Sequence, residues 1–283
     1  MARGIYDHLY STLFIMESIY TYWSFNWPAL VGLVLLCALY LKYHNFKIGN
    51  WMVPFAVALF LLLICFFSPL HLLSQHYLFS AHMVVHVLLL LVVGPLLVIG
   101  LMKDRTNNAA INNLSRTLFK RPFLGWIAGI GIMWVWHIPS VFNYCMMAGH
   151  ASEALGFMMH ALESLSLIIA GMFFSWSIVS PIKEYRVPAL NGVAYLFTAC
   201  IGCSLLGLLI TFAPAGMYRH FLSATDVYGF NSVIVNQWQI NQAMDQQIAG
   251  LIMWVPCCLL YVVYALYLLG RWFDEKDVVS KVV

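Results

Sequence analysis

His82 and His86 lie four residues apart in HYLFSAHMVVHVLLLLVVGPLLVIG, residues 76–100. At that spacing two side chains share one face of a helix. Each imidazole can offer a ring nitrogen to a first-row metal, and imidazole suits copper and zinc. The surrounding stretch is almost wholly apolar, which makes it a membrane-spanning segment. Ionisable side chains in such a segment face the bundle interior or a wet cavity. Other stretches carry the same kind of residue. His137 ends the apolar run MWVWHIP, and His160 and Glu163 are spaced i, i+3 in MHALES. Asp245 and Gln246 open the last apolar stretch. A carboxylate beside a ligating imidazole can fix its tautomer or bind the ion itself.

The elements that must position these groups follow from composition. The chain has 283 residues, 63% of them hydrophobic and 9% charged; a soluble domain averages about 25% charged. The net charge of +3 is small, and no basic patch interleaved with aromatics points to nucleic acid. The expected class is an all-α polytopic membrane bundle. Seven stretches approach the length of about 20 apolar residues that a spanning helix needs: 26–44, 51–70, 80–102, 122–141, 156–179, 189–213 and 247–270. Residues 1–25 read as a tail or an interfacial helix without the marks of a cleaved signal peptide. Residues 26–270 form the transmembrane domain, and 271–283 a cytoplasmic tail. Twelve of the fourteen Lys and Arg fall in the loops after the first, third and fifth stretches and at the C-terminus; Arg3 and Arg219 fall on the other side. That asymmetry predicts seven transmembrane helices with the N-terminus outside and the C-terminus in the cytoplasm.

The topology places His82 and His86 in the first two turns of an inward-running helix, on the order of 3–9 Å below its start at 1.5 Å per residue. His137 ends an outward-running helix and His160 begins an inward-running one, so the four histidines are expected in one outer layer. His82, His86, His137 and His160 are the candidate metal ligands. Glu163, Asp245, Gln246, Met83 and His76 are candidates for supporting them or ligating in turn. Thioethers favour Cu(I), and Met146, Met147, Met158 and Met159 share the layer, although methionine is also a common core filler. No HExxH sequence or nucleophile arrangement points to an enzyme. The seven cysteines form no disulfide framework. Cys200 and Cys203 make a CxxC in mid-span and read as small-residue helix packing; Cys257 and Cys258 sit beside Pro256 and carry no assigned chemistry.

Four stretches in order resemble the CtaG-type cytochrome c oxidase assembly factors, a family of seven-span bacterial membrane proteins. They are LFSAHMVVHVLLLLVVGPLLVIG (78–100), MWVWHIP (133–139), MHALESLSLIIAGMFFSW (159–176) and MDQQIAGLIMWVPCCLLYVVYAL (244–266). GLLITFAPAGMYRHF (207–221) matches more loosely, with Tyr218 as its landmark. The resemblance implies a plasma-membrane protein that helps copper reach a haem–copper oxidase, with oxidase subunits and membrane lipid as its partners. It implies that His82, His86, His137, His160 and Glu163, with Asp245 and Gln246, are the functional set. The chain departs from the family pattern at Val85, at Gly94 with Pro95, and at Ser164, where the family commonly has a further histidine. Haem held axially by histidines on two helices, or a structural accessory subunit of an oxidase, are the alternatives.

Overall fold

The structure is a computed structural model that describes residues 22–102, 108–214, 216–218, 220–223, 226 and 228–280. The tail or interfacial helix expected over residues 1–25 lies almost wholly outside the described residues. All regular secondary structure among them is helical. Helix α1 is Trp27–Tyr43, whose first turn is capped by the Asn26 side chain accepting from the Ala29 amide at 3.1 Å. Helix α2 is Met52–Phe67, and α3, Pro69–His76, continues it after a 52° bend. Ser68 makes that bend. It ends α2, its hydroxyl accepts from the Leu70 amide, and Pro69 supplies a first helical residue that needs no donor.

Helix α4, Phe79–Gly100, is the axis of the molecule: its spanning window is 72% buried, against 56% or less for the other single helices of spanning length. Residues Leu88–Val93 within it form a π-helical turn. Such turns displace one hydrogen bond and widen the helix. Here the widened turn meets Gly171 of α8, Glu153–Val179, and a methyl group on Gly171 would collide with the Leu90 carbonyl. Helices α5, Ala109–Lys120, and α6, Pro122–Trp136, meet at a 98° turn at Arg121. α6 has its own π-turn at Ile127–Gly131, packed at Gly129 against the Phe174 ring. α7 is Pro139–Ala151 and α9 is Ala189–Phe212. The segment between α9 and the last helix carries a single turn at His220–Ser223 and the short α10, Asn231–Asn236. Helix α11 is Gln242–Ser280.

Among the described residues four helices are long and apolar enough to cross a membrane: α4, α8, α9 and residues Gln242–Phe273 of α11. Counting each bent pair, α2 with α3 and α5 with α6, as one span raises the number to six. α1 is apolar but only 17 residues long. The described residues are therefore those of an all-helical, multi-pass membrane protein, with four to six candidate spans among them by length and composition.

Candidate metal centre

The site is built where α4, α6 and α8 converge. The i, i+4 spacing stacks the His82 and His86 rings with centroids 4.2 Å apart. Both rings are almost completely buried. Across from them α8 presents Glu163, also buried, whose Oε1 lies 3.3 Å from His82 Nε2 and 3.2 Å from His86 Nε2. Its other oxygen is 3.6 Å from Nδ1 of His160, one turn earlier on the same helix and partly open. None of these contacts has sound hydrogen-bond geometry. His82 Nε2, both ring nitrogens of His86 and His160 Nδ1 are buried without a hydrogen-bond partner. Leaving so many buried polar atoms unmatched costs about 1–3 kcal/mol each, unless something between them accepts their lone pairs. Among the described residues, His82, His86 and Glu163 are the one group of His, Cys, Asp or Glu whose donor atoms all fall within 4.8 Å of each other.

His137 stands at the edge of this group, its ring 5.1 Å from that of His86. It ends α6, and its Nδ1 bonds to the carbonyl of Met133 one turn back. That leaves Nε2 facing the sulfur of Met83 at 3.0 Å. The His137 backbone carbonyl accepts from the Tyr218 hydroxyl at 3.0 Å. Burial pushes the Tyr218 phenol up to about 12, so it stays a donor at any physiological pH. Met83 itself is fully buried.

The other candidates are placed differently. Asp245 accepts from the backbone amides of Phe79 at 2.7 Å and Ser80 at 3.0 Å, the first two residues of α4. Leu78, the residue before that helix, makes no side-chain cap of its own. Asp245 therefore caps α4 from α11, and its negative charge lies against the positive end of the α4 dipole. Gln246, its neighbour, donates to the carbonyls of Ile210 and Ala213 at the C-terminal end of α9. Both residues are engaged in tying helix ends rather than in the histidine cluster. His76 ends α3 in an exposed position, its ring 5.9 Å from Tyr228. Met147 and Met158 are exposed. Ser164 is half-buried beside Glu163.

Sequence reasoning missed the aromatic collar above the histidines. Phe142 of α7 meets His82 edge-on at 5.5 Å, and Phe221 approaches it at 6.2 Å. Tyr218 packs on Phe79 at 4.5 Å and on Phe142 at 5.1 Å. The segment after α9 thus covers the histidines. Its further course is held by Asp226, which accepts from the Tyr77 hydroxyl and from the Phe230 and Asn231 amides. Of these residues the sequence singles out Tyr218 alone, as the landmark of the loose match over 207–221.

Residues 47–275 match the family model described as cytochrome c oxidase caa3 assembly factor. The chain belongs to that family. The match spans nearly all the helices described above, so the assembly-factor family, and with it a membrane-embedded role in making a cytochrome c oxidase, rests on most of the chain and not on one motif. Such a family points to a non-catalytic role. Searches of curated proteins and of solved structures found no match.

Proposed function

We propose that this assembly factor binds copper at His82, His86 and Glu163 and passes it to a copper centre of the oxidase. One observation carries the reading. Two ligands about 2.0–2.1 Å from a tetrahedral ion lie about 3.3 Å apart, and the two imidazole–carboxylate separations are 3.3 and 3.2 Å. Both separations from the shared carboxylate oxygen support one small ion as the ligand. His160, within reach of the second carboxylate oxygen and partly exposed, is the proposed entry ligand. His137 and Met83 add an imidazole and a thioether beside the cluster, a softer pair that suits Cu(I). A cation bound there would offset the charge of the buried Glu163 carboxylate. Haem is the weaker reading: His82 and His86 come from one helix face and converge on one carboxylate oxygen, whereas axial ligands approach opposite faces of a macrocycle.

The site is proposed to open toward the extracytoplasmic side, with seven spans, the N-terminus outside and the C-terminus in the cytoplasm of a bacterial plasma membrane. The distribution of Lys and Arg supports that orientation. The partners would be the oxidase subunits that receive the metal. The test is a copper titration of purified protein against a chromophoric chelator. About one ion per chain is expected, with affinity reduced at least tenfold in His82→Ala/His86→Ala, in line with the loss of two ligands. Equal binding by the wild type and the double variant would reject these ligands.

A further inference from the structure

The CxxC of α9 and the paired cysteines of α11, 58 residues apart in the chain, face each other in the structure. Cys200 Sγ lies 2.8 Å from Cys258 Sγ. The Ser204 hydroxyl is 3.2 Å from the Cys258 sulfur and donates to the Cys200 carbonyl. One layer deeper, Cys203 is fully buried with its sulfur 3.3 Å from the Tyr261 hydroxyl, and Cys257 is fully buried beside it. All four are free thiols. The helices that carry them form the most extensive pairing in the molecule. They approach closely where Gly207 and Gly250 meet.

The two thiol pairs differ in access. Cys203 and Cys257 are sealed in the helix seam, whereas Cys200 and Cys258 are half-buried at its edge. Around that edge Phe197, Ile201, Val255, Leu259 and Val262 are exposed apolar side chains near the middle of their spans. A reagent that reaches the outer pair must come through lipid. We infer that Cys200 and Cys258 are a redox-reversible modification site, a dithiol that a lipid-soluble quinone oxidises to a disulfide joining α9 to α11.

The step balances. Two S–H bonds break and one S–S bond forms; the two electrons and two protons convert one quinone to its quinol. The sulfurs must close by about 0.8 Å to the 2.05 Å of a disulfide. The product is uncharged, which suits a site in hydrocarbon. A metal bound by these thiols would instead leave thiolate charge there. Among the described residues the cysteines also supply no group of three sulfurs within 4.8 Å of each other.

The experiment uses the full chain, reduced and then reconstituted in lipid nanodiscs. It is exposed to decylubiquinone, denatured, alkylated with a maleimide and weighed intact. Of the seven thiols, five should alkylate, and a peptide joining Cys200 to Cys258 should be recovered with about one quinol formed per chain. Cys203→Ser should keep the cross-link. Cys258→Ser and Cys258→Ala should alkylate at all remaining thiols. Seven alkylated thiols in the wild type, or a cross-link that survives loss of Cys258, would overturn the assignment. A phosphine reductant should restore all seven.

Discussion

Glu163 is the residue on which the candidate site depends most. Three imidazoles converge on one buried carboxylate, and two of them meet the same oxygen. Glu163→Gln keeps the shape and removes the charge. Copper affinity measured by chelator competition should fall by about tenfold to a hundredfold, the usual range for losing a ligand or its close support. His137→Ala should have a smaller effect on Cu(II) than on Cu(I), because its free nitrogen pairs with the Met83 thioether; parallel titrations in the two oxidation states would separate them. Acid should weaken binding. Imidazole binds metal only when neutral, so protons compete with the ion. Affinity should fall as a series runs from pH 8 to pH 5; a flat series would argue against histidine ligation. At this scale much was legible. Paired histidines within an apolar stretch and the His160–Glu163 spacing mark the site without coordinates. The collar of Phe142, Tyr218 and Phe221 was not legible, because an aromatic in a membrane chain has many places to pack.

At the scale of the element, the site is held by the ends of helices. Asp245→Ala removes the acceptor for two amides at the start of α4. The loss should be about 1–2 kcal/mol, the value of a helix cap, read as a lower melting temperature in detergent. Copper affinity should fall with it although Asp245 does not join the cluster; unchanged affinity in a destabilised protein would mean that α4 keeps its pose without the cap. Gly171→Ala tests the other support. The new methyl would meet the Leu90 carbonyl in the π-turn, and overpacking of this kind costs about 1–3 kcal/mol. These supports explain what the sequence did not disclose. Asp245 looks like one more candidate ligand until its partners are known, and those partners are backbone amides that any residues would supply. The π-turns likewise leave no signature in a run such as LLLLVV.

At the scale of the molecule, the seven apolar stretches read from composition all fall on helices, and four to six of those helices qualify as spans. The reasons for the difference are local. α1 has only 17 residues, Ser68 breaks α2 from α3, and α6 is a short helix set at a sharp angle to α5. Proline after a polar residue is a visible signal for a bend, but it does not carry the size of the angle, 52° at Ser68 and 98° at Arg121. The proposed orientation makes a direct prediction: a fluorescent protein fused after Val283 should mature in the cytoplasm, and alkaline phosphatase fused there should be inactive. The reverse pattern would invert the sidedness of the histidine layer and with it the compartment from which copper could enter.

The clamp on α4 also has a consequence in time. Asp245 stands 166 residues after Phe79, so the amides that start the histidine helix stay uncapped until almost the whole chain has been made. A nascent protein released early would carry His82, His86, His137, His160 and Glu163 but not the tie that fixes the angle of the first two. Synthesis therefore sets the order of events: α11 must be made and pack on α4 before Asp245 can cap the helix that carries His82 and His86. A chain truncated before residue 245 holds the four histidines and Glu163 and lacks the side chain that caps the helix carrying two of them.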